Sequence, residues 1–261
     1  MKMKPVILLV DDNAEILEFI AEFLGENYEI IKATSGERAL QVLAEESVQL
    51  IITDIMMPGM DGYELCEKIK TGFEHSHIPV ILLTAKNTFQ SKITGLEIGA
   101  DAYIEKPFSP QHLQLQISNL LISRNKIKEY YASSPLVHIK GMAHTKADAN
   151  FLSQLNDAIN QNIKNPDLDV VQVARIMNMS RPTLYRKIKE ISNVTPNEII
   201  NITRLKKAAE LLVEGIYSIN QISEMVGYTS QTVFGRTFQK QFGMKPSVFV
   251  ASKCKDRIKY N

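Results

Sequence analysis

Cysteine occurs only twice in the 261 residues, at Cys66 and Cys254, and the pair fits neither a disulfide framework nor a metal-ligand spacing. Such usage suits a reducing, cytoplasmic setting with both thiols as packing groups. No apolar run approaches the ~20 residues that span a bilayer, so no direct membrane contact is expected. The opening MKMKPVILLVDD lacks a signal peptide's long apolar region and small-residue cleavage site; its apolar run stops at two acids. Net charge is almost nil, at +1, but it conceals a division. Residues 1–124 hold 10 Lys and Arg against 18 Asp and Glu, a balance of −8, whereas residues 125–261 hold 20 against 11, a balance of +9. An acidic module joined to a basic one, the second facing a polyanion, follows from that asymmetry.

What the first half has is alternation. The runs VILLV (6–10), YEIIKA (28–33), QLIIT (49–53), IPVILLT (78–84) and DAYIEK (101–106) are separated by amphipathic stretches near 13–25, 36–46, 61–71 and 88–99, with another near 109–123. Apolar strands alternating with helices indicate an α/β fold with a parallel sheet covered on both faces. Five units match the flavodoxin-like, doubly wound strand order 2-1-3-4-5, in which ligands sit at the carboxyl ends of the strands. At those ends stand Asp11 and Asp12, then Asp54, then Thr84, while strand five runs through Tyr103 to Lys106 and Pro107. In IITDIMMPGMDG an apolar strand ends on an acid, Asp54, and only then meets turn chemistry at Pro58, Gly59 and Gly62. Three carboxylates held close repel one another, raising at least one pKa, unless a cation sits among them. Oxygen ligation with room for water favours Mg²⁺.

These residues at these spacings resemble the receiver domain of two-component response regulators, over essentially all of residues 4–124. The resemblance implies Asp54 as phosphate acceptor, and Asp11, Asp12, Asp54 and the Met56 carbonyl around Mg²⁺. It implies Lys106 against the phosphoryl oxygens, Thr84 hydrogen-bonded to one of them, and Thr84 and Tyr103 as the switch pair.

Residues 125–148 mix charge with Ser, Pro and Gly and are expected to form a linker with partial helix, placing the domains at 1–124 and 149–261. Beyond Phe151 the patterning is helical. Two units, 168–199 and 217–249, each carry a short striped helix, a turn at Asn178 or Gly227, a capping Ser180 or Ser230, a second helix, and a third segment led by Pro196 or Pro246. That is helix-turn-helix geometry, twice. The tandem resembles the AraC/XylS-type DNA-binding domain, with Asn193 where that family usually has glycine. Leu184 and Ile188 share the buried face of the first recognition helix, leaving Arg181, Pro182, Tyr185 and Arg186 to meet DNA; Gln231, Thr232 and Arg236 take the corresponding places in the second. Lys187, Lys189, Lys206, Lys207 and Lys240 are expected to add phosphate contacts.

His75 and His77 are expected in an exposed loop, and Tyr130 and Tyr131 at a helix end. No histidine lies in a kinase-like helix and no Gly-rich nucleotide box follows one, so the chain is expected not to be an enzyme and to take its phosphoryl group from a histidine kinase. The resemblance thus implies a cytoplasmic, phosphorylation-regulated transcription regulator on double-stranded promoter DNA, a homodimer when phosphorylated. TGFEHSHIPVILLTAK and ISNLLISR also look like receivers at the end of hybrid sensor kinases, which would make the chain the C-terminal portion of a longer protein. A phosphorelay intermediate would not need the basic helical half.

Overall fold

The computed structural model describes residues 4–85, 98–133, 143, 145–192 and 194–258, the side chains of 127–133 and 253–258 excepted. The expected helix near 88–99 lies almost wholly outside these residues, as do Asn193, most of the linker after Ser133, and the side chains of Tyr130, Tyr131 and Cys254. Two compact units divide the chain, one of residues 1–127 with 143–148, the other of 128–142 with 149–261.

The first unit is a five-stranded parallel sheet in the order β2-β1-β3-β4-β5, formed by β1 (Val6–Val10), β2 (Glu29–Ala33), β3 (Leu50–Asp54), β4 (Val80–Thr84) and β5 (Ala102–Glu105). Each expected strand is there, shifted by at most two residues at an end. Because strand side chains alternate, the central strands split their apolar residues between two layers. Leu8, Val10, Ile51 and Leu82 pack towards α2 (Gly36–Glu45) and α3 (Gly62–Thr71). Ile7, Leu9, Ile52 and Leu83 pack towards α1 (Ala14–Leu24) and α4 (Pro110–Ser133). Cys66 is fully buried in the first layer, and burial pushes its thiol up to about 12, so it is inert packing.

Two expectations fail here for identifiable reasons. The last helix of the sheet does not stop near residue 123 but continues to Ser133, because nothing between carries a breaker before Ser134 and Pro135. His77 is not solvent-exposed but buried at 9%, since Arg124 on α4 reaches under the loop and donates to its carbonyl at 2.6 Å. The same guanidinium donates to Asp101 at 2.7 Å, and Asp101 also receives Lys70 of α3 at 2.5 Å and the Val80 amide at 2.9 Å. This partly buried charge network ties two helices to the amino ends of β4 and β5.

The second unit is all-α among its described residues: α5 (Lys146–Gln161), α6 (Val170–Ile176), α7 (Arg181–Ser192), α8 (Pro196–Glu214), α9 (Ile219–Met225), α10 (Gln231–Phe242) and α11 (Pro246–Ile258). Caps fix the starts: Asp169 for α6, a Thr195–Glu198 capping box with Pro196 for α8, and a Ser218–Gln221 box for α9. Leu205, Ala208 and Leu212 of α8 pack with Ile222, Phe234, Phe238 and Phe249 into one apolar core.

Candidate phosphoacceptor pocket and nucleic-acid interface

Strand register builds the pocket. Val10 pairs with Thr53, so the next residues, Asp11 and Asp54, leave the sheet side by side. Asp54 pairs with Leu83, so Thr84 is one step beyond, and Thr84 pairs with Glu105, which puts Lys106 next in line. Lys106 is held there by its own amide, which donates to the Thr84 carbonyl at 2.7 Å, and the Lys106–Pro107 peptide is cis. Its ammonium reaches both acids, 2.6 Å from Asp54 Oδ1 and 3.0 Å from Asp11 Oδ2. Burial would lower the lysine, but its bonds to Asp54 and Asp11 outweigh that and hold it above its ordinary value. Asp54 and Asp11 are themselves buried, at 7% and 3% exposure, as is Thr84 at 5%.

The backbone supplies the rest. The Met56 amide donates to Asp54 Oδ2 at 2.9 Å, and the Asn13 amide donates to Asp11 Oδ1 at 2.9 Å while its side chain caps α1. Gly62 is required by contact rather than by dihedral: a Cβ there would lie 2.2 Å from the Asp54 carbonyl oxygen. Tyr103 lies half-buried on β5 among the residues of the α2/α3 layer, and burial, with Tyr63 beside it, pushes its phenol above its ordinary value. Asn13 and the Met56 amide were not foreseen, and Gly62 was expected only as a turn residue, because amide positions and close backbone approaches leave no side-chain signature.

The three-carboxylate expectation needs correction. Asp12 is exposed, and no three acids or histidines gather as a ligand set among the described residues. The cation shared by the two buried carboxylates is the Lys106 ammonium. The buried Asp11 and Asp54 carboxylates, with exposed Asp12 next in sequence, are still the all-oxygen type of ligand that a hard divalent ion takes.

In the second unit the two helix-turn-helix elements superpose in their logic. Asn178 has φ 53° and Gly227 φ 79°, the left-handed turn each needs, and the Met179 and Tyr228 amides bond back to the Ala174 and Ser223 carbonyls at 2.9 Å. Ser180 and Ser230 accept from the third residue of the following helix. Leu184 and Ile188 are buried as expected, and Arg181, Pro182, Tyr185, Gln231, Thr232 and Arg236 are exposed, with Arg186 partly covered. Gln231, Thr232 and Arg236 line a cleft of about 290 Å³ together with Gln239, with Lys245 just before α11 and with Ser247 in its first turn, none of these three foreseen. Lys187 is a correction: it is 1% exposed, with its ammonium 5.5 Å from the Phe151 ring centroid, so it packs instead of meeting phosphate. Lys207 is bonded to Glu210 at 3.0 Å and Lys206 is partly buried, whereas Lys189 and Lys240 stay exposed.

The family model of the response regulator receiver domain matches residues 7–118, and that of a helix-turn-helix domain matches residues 173–252. Residues 7–118 are a response regulator receiver domain, followed by an AraC-type helix-turn-helix domain. The chain is 38% identical over 248 residues to histidine kinase P4 of Formosa agariphila, covering 95% of this chain and 18% of that protein. It is 44% identical over 127 residues to the probable transcriptional regulator ycf27 of Pyropia yezoensis, covering 48% of this chain and 50% of that one. It thus spans half or less of these curated relatives. The solved receiver domain of a signal transduction histidine kinase from Syntrophus aciditrophicus is 35% identical, covers 46% of this chain and 91% of its own, and has a TM-score of 0.44. Receiver and helix-turn-helix domain together are the parts of a two-component regulator with a DNA-binding output. No described helix is long and apolar enough to cross a membrane.

Proposed function

We propose that the chain is a cytoplasmic transcription regulator that accepts a phosphoryl group on Asp54 and binds promoter DNA in response. The observation that carries this reading is the pair of buried carboxylates, Asp11 and Asp54, bridged by one ammonium at the carboxyl edge of a receiver sheet. A carboxylate oxygen of Asp54 attacks phosphorus; the P–N bond of a phosphohistidine breaks as the acyl phosphate P–O bond forms, and the imidazole leaves with a proton from solvent. Lys106, already turned to Asp54, follows the new charge, and the Thr84 hydroxyl donates to a phosphoryl oxygen. Mg²⁺ would be held by Asp11, Asp54 and the Met56 carbonyl, with exposed Asp12 contributing from the solvent side, and would supply neutralisation of charge on the phosphoryl oxygens. Thr84 engaged by phosphate draws Tyr103 inward, altering the β4–β5 face and favouring a homodimer. Mass spectrometry after incubation with acetyl phosphate and Mg²⁺ tests the first step. One hydroxylamine-labile phosphoryl group is expected on the wild type and none on Asp54→Asn; equal labelling of both would refute it.

The likeness of 95% of the chain to part of histidine kinase P4 favours a second reading of context, in which these domains end a hybrid sensor kinase. The genomic reading frame upstream decides it: an in-frame kinase supports the hybrid, and a stop codon excludes it.

A further inference from the structure

The two helix-turn-helix elements meet at one side chain. Arg204 lies midway along α8, the helix that joins them, and is only 7% exposed. Its Nη2 donates to the Asn165 carbonyl at 2.5 Å, in the turn that leads from α5 into the first element. The turn of the second element comes up against the same group. A Cβ on Gly227 would lie 3.0 Å from Arg204 Nη2 and 3.1 Å from its Cζ, and 2.4 Å from the Ile163 carbonyl oxygen. The left-handed glycine therefore does two things: it makes the turn, and it lets the backbone of one element touch the backbone beneath the other. Tyr228, the next residue, packs edge-on against Phe234 of α10 at 5.4 Å, so a movement at this junction passes directly to the second recognition helix.

The energetics argue that the arginine is not mere filler. Burial lowers Arg204 from its ordinary value, and its Nε has no hydrogen-bond partner among the described residues. A guanidinium held in the interior with no carboxylate against it among the described residues is a costly way to occupy volume that methionine would fill. What arginine adds is direction, a planar fork that addresses the Asn165 carbonyl while its Nη2 and Cζ lie close to Gly227.

We propose that Arg204 is a positioning residue that fixes the separation and angle of the two recognition helices, and through them the spacing of the two half-sites the chain accepts. The proposal rests on the reading of this domain as DNA-binding. Being buried, Arg204 acts through α8, Asn165 and Gly227 and not by touching DNA.

The test begins with selection of bound duplexes by the wild-type chain. Retention of no DNA would overturn the DNA-binding reading itself, before Arg204 is in question. With a bipartite site in hand, affinity is measured on the native spacing, on spacings lengthened by one and two base pairs, and on a single half-site. For the wild type, the lengthened sites are expected to lose on the order of 10²-fold, because the second module no longer engages. Arg204→Met is expected to keep single half-site affinity, weaken on the native spacing, and show a spacing penalty reduced to about threefold, since a loosened connector tolerates either separation. Arg204→Lys, which keeps the charge and stem but not the fork, is expected to fall between, and it carries the test if the Met variant does not fold. A folded variant with the wild-type spacing penalty overturns the proposal. So does a wild type indifferent to spacing, or loss of fold in both variants, which would make Arg204 a core residue only.

Discussion

Asp54 is placed by register and kept there by what crowds it. Asp11, Asp54, Thr84 and Lys106 were legible in the sequence because each is a polar residue ending an apolar strand, a pattern that parallel topology turns into proximity. Asp12 has the same pattern yet stays exposed, since only one residue after β1 can point along Asp54. Gly62 shows the opposite limit, a residue whose importance lies in an atom it does not have. Gly62→Ala would drive a Cβ into the Asp54 carbonyl, 2.2 Å away, against backbone that cannot yield cheaply. The expected loss is about 1–3 kcal/mol by chemical denaturation, as for other overpacked sites. Acyl phosphate formation should fall with it, because the displaced strand end carries Asp54; a variant with wild-type stability and labelling would refute the contact.

Helices α3 and α4 are joined to the sheet by charge as well as by apolar packing. Burial would push Asp101 up, but the Lys70 and Arg124 charges and the Val80 amide outweigh it and hold the carboxyl below its ordinary value. A carboxyl so depressed contributes stability that is fully present above the ordinary aspartate range and is lost as pH falls through its folded value. Asp101→Asn removes the acceptor shared by buried Lys70 and partly buried Arg124 and is expected to cost about 3 kcal/mol at neutral pH. The gap from wild type should narrow as the solution is acidified below the ordinary aspartate range. A gap independent of pH in urea unfolding would show that the charge does not matter. The sequence displayed these helices by their apolar stripes but not this network, because Lys70, Asp101 and Arg124 are far apart in the chain and each alone looks like solvated surface. The burial of His77 escaped for the same reason. In the basic half, Asn178 and Gly227 were legible since few residue types accept a left-handed turn, while Lys187 misled because helical position alone does not separate a buried stem from an exposed one.

Across the whole chain, composition separated an acidic sheet from a basic helical domain before any residue was assigned, and that division carries the regulatory idea. Under the proposed function a phosphoryl group on Asp54 would add negative charge to the acidic receiver, and the helix-turn-helix domain would meet a polyanion through Arg181, Arg236, Lys189 and Lys240, all of them exposed. Coupling between the two is a free-energy difference, and couplings of this kind commonly change affinity about 5–150-fold. The direct measurement is the affinity of the selected duplex, at one fixed salt concentration, for the chain with and without phosphate verified on Asp54, beside Asp54→Ala treated in the same way. Affinity should rise at least about fivefold on phosphorylation of the wild type and stay at the unphosphorylated level for Asp54→Ala. Equal affinity for the two wild-type states, with the phosphate confirmed in place, would contradict control of DNA binding by this pocket.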